Sequence, residues 1–172
     1  DTYDVIRTMP FNAELAAGRD CVAGLSDGTA ALVIQGEEGV GKTTVWEAGA
    51  AAAEENGTLV LRARPAERET ALSFSGLGDL LDPVLDDALA PLPELQRRAV
   101  SHALVLEPDD TPTLDRHAIG VAILSVVRAL VEKAPLLVAV DDVQWLDAET
   151  AASLAYAGRR LRGERAGLLL TR

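Results

Sequence analysis

Short apolar runs alternate with longer helical stretches along most of this chain. Residues 29–35 read Thr-Ala-Ala-Leu-Val-Ile-Gln between turn-forming residues, which predicts a buried strand. An alanine-rich stretch from residue 42 to Asn56 predicts a helix that ends before Gly57, and residues 58–63 predict a second strand. A strand, a helix and a strand in this order predict a parallel pair joined by a right-handed crossover.

The region 72–112 has a different pattern. Leucine and valine recur at helical spacing between residues 77 and 85, which predicts a helix there. Five of the eight prolines fall between residues 83 and 112, among several acidic side chains. We therefore expect short helices joined by acidic loops that contain prolines. This pattern is more typical of a solvated connector than of an insertion or a partner-binding surface.

An amphipathic pattern returns in residues 113–133, where an apolar stripe begins at Leu114 and Pro135 ends the predicted helix. Residues 136–140, Leu-Leu-Val-Ala-Val, are apolar on both faces, as expected of an interior parallel strand. A helix over residues 148–161 and a strand over residues 167–171 follow. The alternation predicts an α/β fold, a mostly parallel sheet flanked by helices in three layers.

Composition and charge narrow the functional classes. The chain has 172 residues and 48% apolar side chains, enough for one domain with a buried core. The formal net charge of −11 argues against direct contact with nucleic acid or an anionic membrane. The longest uncharged apolar run, residues 118–127, is shorter than the ~20 residues that span a bilayer. One cysteine, Cys21, excludes an internal disulfide. Because that apolar run is short and the first residues show no signal-peptide pattern, we expect a soluble, cytoplasmic protein.

One of the two lysines, Lys42, lies in a glycine-rich motif directly after the first predicted strand. The stretch 36–43 fits G-x-x-x-x-G-K-[ST], the Walker A pattern, and it opens a predicted helix. Glycines allow consecutive N–H groups to converge on phosphate oxygens, and the helix N-terminus favours negative charge. Lys42 would contact the β- and γ-phosphates, and the Thr43 hydroxyl would bind Mg²⁺. The predicted nucleotide-binding residues are Gly36, Glu37, Glu38, Gly39, Val40, Gly41, Lys42, Thr43 and Thr44.

A pair of carboxylates ends the interior strand 136–140. Asp141 and Asp142 follow its last valine, which places them at the carboxyl edge of a parallel sheet, where ligands bind in open α/β folds. Asp141 is predicted to hold Mg²⁺, as in a Walker B motif, and Asp142 to orient the attacking water. In the residues that follow, we expect Trp145 to pack at the sheet edge and Asp147 to cap the next helix.

Three stretches together resemble a known family. The loop 36–43, the run 114–147 with its Asp-Asp-x-x-Trp-x-Asp motif, and the tail 154–172 with Arg-Arg-Leu look like the nucleotide-binding domain of large ATP-binding LuxR-type regulators. These are MalT-like ATPases of the STAND class. The segment 74–83 also resembles the part that follows the second strand in that family. The resemblance covers about residues 30–172.

The resemblance implies a P-loop NTPase fold of the ASCE/AAA-like type, with strand order 5-1-4-3-2. It also implies an ATP-dependent switch, a DNA-binding helix-turn-helix far downstream, and a sensor role near the γ-phosphate for Arg172. In place of the Gly-Arg-Glu element that the family carries before the first strand, this chain has Gly18-Arg19-Asp20, closer to the loop.

In that strand order, the fifth strand covers the edge of the strand that carries the phosphate loop. The chain reaches Arg172 at the end of predicted strand four, so we expect residues 29–172 to be a P-loop core truncated after that strand. The strand at 29–35 would then be an exposed edge. Residues 1–28 are expected to form a helical lead-in.

These observations predict a domain that binds Mg-ATP and hydrolyses it slowly, as the switch of a signal-responsive transcriptional regulator. Its expected partners are ATP or ADP and either a second copy or C-terminal domains outside this sequence. Two alternatives remain: a non-hydrolysing ATP/ADP-gated interaction module, and a small-molecule phosphotransferase. Arg159 or Arg160 could act on a neighbouring subunit, although a solvated helix face is the simpler interpretation. A GTPase is disfavoured because no asparagine precedes a lysine.

Overall fold

A five-stranded parallel sheet forms the centre of the molecule. The computed structural model describes residues 3–7, 29–105 and 115–172. The strand order across the sheet is β1-β2-β5-β4-β3, and every neighbouring pair is parallel. The strands are β1 (Tyr3–Arg7), β2 (Ala30–Gln35), β3 (Leu59–Ala63), β4 (Leu136–Val140) and β5 (Ala166–Thr171).

Six α-helices connect or flank the strands of the described residues. They are α1 (Lys42–Glu55), α2 (Ser75–Leu81), α3 (Leu85–Leu89), α4 (Glu94–Ala103), α5 (Arg116–Lys133) and α6 (Ala148–Gly158). Short 3-10 turns lie at Glu67–Glu69, Asp82–Val84 and Val143–Trp145.

The sheet is covered on both faces, as the apolar pattern of β4 predicts. All five β4 residues are buried, and successive side chains point to opposite faces. Leu137 and Ala139 pack in a core with Val45 and Trp46 of α1. The other β4 residues, 136, 138 and 140, pack in a larger core with helices that include α2 and α5. The three-layer α/β architecture is therefore confirmed.

The order of the four predicted strands is also confirmed, but their edge is not exposed. The strands β2, β5, β4 and β3 correspond to 1-4-3-2 of the expected order. The outer position beside β2 is taken by β1, from the N-terminal end, with Val5 opposite Val33. The expected helical lead-in is thus wrong for residues 3–7, which form a strand, while residues 8–28 lie outside the described part.

The connector region matches its prediction of short helices. Residues 75–103 form α2, α3 and α4, broken near Pro83 and Pro93. The following helix begins later than expected, at Arg116, because Asp115 caps it by accepting a hydrogen bond from the His117 backbone N–H at 2.9 Å. Leu114, Cys21 and Gly18-Arg19-Asp20 lie outside the described residues.

Asp147 is the buried residue that joins the start of α6 to the start of α2. Its side chain is 1% exposed and caps α6, as predicted, by accepting from the Thr150 N–H at 2.9 Å. It also accepts from the N–H groups of Phe74 at 2.9 Å and Gly76 at 3.0 Å. The Thr150 hydroxyl accepts from the Leu77 N–H at 3.0 Å. One carboxylate and one hydroxyl therefore hold a turn more than 70 residues away in sequence.

Glycine at position 76 lets the two segments lie very close together. A Cβ placed on Gly76 would be 2.4 Å from Cδ1 of Leu146, far inside van der Waals contact. The preceding Phe74 adopts a left-handed conformation with φ of 60°, which is costly for a bulky residue. The hydrogen bonds that Asp147 accepts thus stabilise a strained turn.

The pKa of Asp147 determines how this junction responds to acid. Burial raises the pKa, but the hydrogen bonds from Thr150, Gly76 and Phe74 outweigh burial and leave it below the ordinary value of 3.8. A carboxylate with a depressed folded pKa stabilises the fold fully above the unfolded-state pKa. That stabilisation is lost as the pH falls through the folded value.

We predict that Asp147→Asn lowers the free energy of unfolding by about 1–3 kcal/mol at neutral pH, because an amide has one acceptor oxygen where the carboxylate has two. Urea denaturation at pH 7 and at successively lower pH measures this difference, which should shrink in acid. Asp86→Asn, at an exposed position of α3, is the matched control and should change stability by less than about 0.5 kcal/mol. A difference between wild type and Asp147→Asn that is constant with pH would contradict the assignment.

Candidate functional site

The parallel sheet brings three predicted elements to the same edge. In a parallel sheet all carboxyl ends point the same way, so the segments after β2, β5 and β4 emerge side by side. Ile34 lies opposite Thr171, and Leu170 lies opposite Val140. The glycine-rich loop therefore follows the strand next to β5, and Asp141 follows the strand on the other side of β5.

The loop 36–41 has the backbone that its glycines predict. Gly39 and Gly41 have φ values of 80° and 97°, a region that side chains other than glycine rarely adopt. A Cβ on Gly36 would lie 2.9 Å from Cγ1 of Val40, so the loop closes tightly at its start. Glu37 and Glu38 are exposed, consistent with side chains that face water while the backbone lines the loop.

Lys42 crosses the loop from the first residue of α1. Its ammonium group donates hydrogen bonds to the carbonyl oxygens of Gly36 at 2.8 Å and Glu37 at 3.0 Å. Gly41 precedes the helix and no side chain caps it, so the positive end of the helix dipole faces the loop. Thr43 and Thr44 are exposed in the first turn. This arrangement combines backbone N–H groups, a helix N-terminus and an ammonium group around one concavity.

Asp141 is buried at the end of β4. It is 6% exposed, and its backbone N–H donates to the carbonyl of Ala63 at 3.0 Å. Its Oδ1 accepts a hydrogen bond from the Thr171 hydroxyl at 2.6 Å. Its Oδ2 has no hydrogen-bond partner among the described residues. One oxygen is therefore held in place, and the other remains open to a ligand.

Thr171 also holds the second carboxylate residue. Its hydroxyl oxygen accepts a hydrogen bond from the Asp142 backbone N–H at 2.7 Å. Asp142 has a left-handed φ of 52°, and the Gln144 side-chain amide donates to its Oδ1 at 3.0 Å. Thr171 is fully buried. A single hydroxyl thus fixes Asp141 through the side chain and Asp142 through the backbone.

The role of Thr171 was not predicted from the sequence, although the residue was placed in the last predicted strand. A hydroxyl residue at the end of an otherwise apolar strand is the only local signal, and its partners directly follow β4, some 30 residues earlier. Arg172 follows it. The Arg172 N–H donates to the carbonyl of Ile34 at 3.0 Å, and the side chain is exposed at the same edge of the sheet. Trp145 is half-buried in the turn after Asp142.

The side-chain oxygen atoms at this edge suit a metal ion that is bound by the protein and by a second molecule together. Within residues 29–105 and 115–172, no group of three or more His, Cys, Asp or Glu side chains could hold an ion alone. Thr43 and Asp141 offer hard oxygen atoms, and Mg²⁺ usually binds one or two protein oxygens plus phosphates and water. The residues present therefore fit Mg²⁺ bound together with a phosphate-bearing ligand.

No described helix has the length and apolar content needed to cross a bilayer. Arg160, one of the two arginines that directly follow α6, lies over Tyr156, with its guanidinium carbon 3.5 Å from the ring centroid. Among the residues that the structure describes, the neighbouring Arg159 side chain has no hydrogen-bond or ion-pair partner.

Comparisons with known proteins agree with this fold. A structure of the ORC2 protein of Aeropyrum pernix, described as ADPNP–ADP complexes, superimposes on this chain with a TM-score of 0.52 and 20% sequence identity. The match covers 99% of this chain and 43% of that protein, so the present chain spans less than half of its length. No significant match is found among curated proteins. Residues 13–170 match the family described as the AAA ATPase domain. This chain is a member of the AAA ATPase domain family.

Proposed function

We propose that this domain binds Mg-ATP at its carboxyl edge and hydrolyses it slowly, as a switch within a larger regulator. The observation that supports this most directly is the placement of Lys42 and Asp141 after β2 and β4, on the two sides of β5. Membership of the AAA ATPase domain family and the ADPNP–ADP complexes of the ORC2 protein support the choice of ligand.

The loop and the carboxylate pair would have separate tasks. The N–H groups of residues 36–44 and the Lys42 ammonium would bind the phosphates, and Thr43 and Asp141 would hold Mg²⁺. When bound, Mg²⁺ neutralises charge on the β- and γ-phosphate oxygens. Asp142 would accept a hydrogen bond from the attacking water and orient it, with Gln144 restricting the carboxylate through their 3.0 Å hydrogen bond. Arg172 would sense the γ-phosphate.

The regulatory part of this proposal is more specific than the family assignment. It is supported by the resemblance of residues 114–147 and 154–172 to LuxR-type STAND regulators. In such a protein, bound ATP or ADP would set contacts with further domains or with a second copy. Transcriptional regulation would then be carried out by segments other than this acidic domain, which has a net charge of −11.

We predict that Lys42→Ala weakens ATP binding about 100-fold, because several charge-assisted hydrogen bonds to phosphate are lost. Isothermal titration calorimetry with Mg-ATP measures the affinity. Lys133→Ala is the matched control, since Lys133 is the other lysine and pairs with Asp87 at 2.7 Å on the surface. Unchanged binding by Lys42→Ala would refute the assignment of residues 36–44 as the phosphate site.

We predict that Asp142→Asn keeps its affinity for Mg-ATP within a few-fold but loses about 100-fold or more in turnover, because the amide cannot accept a proton from the attacking water. Phosphate release under saturating ATP measures turnover. Equal hydrolysis by wild type and Asp142→Asn would place the catalytic role elsewhere. Tight binding with no phosphate release from the wild type would instead favour the non-hydrolysing, nucleotide-gated module.

We predict that Thr171→Val lowers the affinity for Mg²⁺ in the presence of ATP about ten-fold. The reason is that Asp141 and the Asp142 N–H both lose the hydroxyl that positions them. Thr171→Ser retains the hydroxyl and should restore wild-type Mg²⁺ affinity. Titration of Mg²⁺ at fixed ATP separates this effect from general destabilisation, which thermal unfolding of both variants measures. Equal loss of Mg²⁺ affinity in the serine and valine variants would contradict a positioning role for the hydroxyl.

A further inference from the structure

A second cavity lies between α5 and α6, apart from the phosphate loop. Its volume is about 280 Å³, close to the lower end of the roughly 300–1,000 Å³ typical of small-molecule sites. None of its lining residues belongs to the loop 36–44 or to the pair Asp141–Asp142. It therefore has room for a molecule of about one ring, independent of any nucleotide.

Three aromatic side chains line this cavity. Phe74 is buried at one wall, and His117 and Tyr156 contact each other edge to face, with ring centroids 5.3 Å apart at 84°. Gly120 makes this packing possible, because a Cβ there would lie 3.0 Å from Cγ of Tyr156. Aromatic walls of this kind favour a planar ring as ligand.

The charges around the cavity leave one arginine available. Arg116 and Glu149 both line it, but they neutralise each other in an ion pair of 2.8 Å. Arg160 is engaged with Tyr156, both over the ring and through a 3.0 Å hydrogen bond to its backbone carbonyl. Arg159 lines the cavity, and its side chain forms no hydrogen bond or ion pair with residues 29–105 or 115–172. Within this described part of the chain, the lining therefore carries one uncompensated positive charge.

That local charge is notable in a chain with a net charge of −11. The overall field of the protein repels anions, so an anion site must depend on a nearby uncompensated cation. A guanidinium group matches the planar geometry of a carboxylate or of two phosphate oxygens. We propose that this cavity binds a small aromatic anion, with its ring against Phe74, His117 and Tyr156 and its charged group on Arg159.

Four small molecules serve as probes that distinguish the contribution of the aromatic ring to binding from that of the negative charge. Benzoate and phenyl phosphate carry both, benzyl alcohol carries the ring alone, and inorganic phosphate carries the charge alone. We expect benzoate and phenyl phosphate to bind with roughly millimolar Kd, as befits ligands of about ten heavy atoms. The readout is the amide chemical shift of Gly120 and Ala152, which both line the cavity, in ¹⁵N-labelled protein.

Two arginine variants test the charge. Arg159→Gln should weaken benzoate binding about ten-fold through loss of a charge-assisted bond. Arg162→Gln, at an exposed arginine that does not line the cavity, should leave benzoate binding within two-fold of wild type. Because both positions are exposed, thermal unfolding should show both variants folded.

Lys42→Ala separates this site from the proposed nucleotide site. Benzoate should shift Gly120 and Ala152 equally in wild type and in Lys42→Ala, whether or not either protein binds ATP. The proposal is overturned if the shifts fall on residues 36–44 and vanish in Lys42→Ala, or if neither aromatic anion binds. It is equally overturned if Arg159→Gln binds benzoate as tightly as wild type does, or if benzyl alcohol or inorganic phosphate alone binds as tightly as the aromatic anions.

Discussion

The insertion of β5 between β2 and β4 is the constraint on which the carboxyl edge depends. These strands come from distant parts of the chain, and only their parallel pairing, Ile34 with Thr171 and Leu170 with Val140, aligns their ends. Neighbouring strands lie about 4.8 Å apart, so β2 and β4 are separated by roughly 10 Å. The glycine-rich loop and the two aspartates therefore lie on opposite sides of the end of β5. The phosphate chain and metal ion that we propose would lie over that end, between the loop and the aspartates.

The periodicity of the sequence predicted most of the elements, because each helix or strand that it identified has its own local pattern. The all-apolar run 136–140 could only be an interior strand, and the helix over 116–133 carries a long apolar stripe. The partner of β2 was not predictable in the same way. Residues 3–7 are five residues with no distinguishing pattern, and parallel pairing with β2 leaves no trace in local spacing. The start of α5 was misplaced because Asp115 competes as a cap with the apolar stripe that begins at Leu114.

The candidate site likewise contains some residues that local sequence patterns predict and others that they do not. Residues 36–43 and Asp141–Asp142 were predictable because phosphate and metal binding require particular residue types at fixed short spacings. Thr171 was not, since its two hydrogen bonds at 2.6 and 2.7 Å exist only after β5 has paired with β4. Asp147 shows both cases in one side chain. Its bond to the Thr150 N–H is local and was predicted, whereas its bonds to Phe74 and Gly76 join segments more than 70 residues apart.

The segment 142–147 links the carboxylate pair to the second cavity. At one end, Asp142 is held in a left-handed conformation by Thr171; at the other, Asp147 is bonded to Phe74, which lines the cavity. Between them, Leu146 lies so close to Gly76 that a Cβ at position 76 would displace the leucine side chain. A tightly packed segment transmits a displacement instead of absorbing it. If nucleotide at the edge and an aromatic anion in the cavity each shift this segment, the effect of each ligand on the affinity of the other must be equal, since coupling between two binding equilibria is reciprocal.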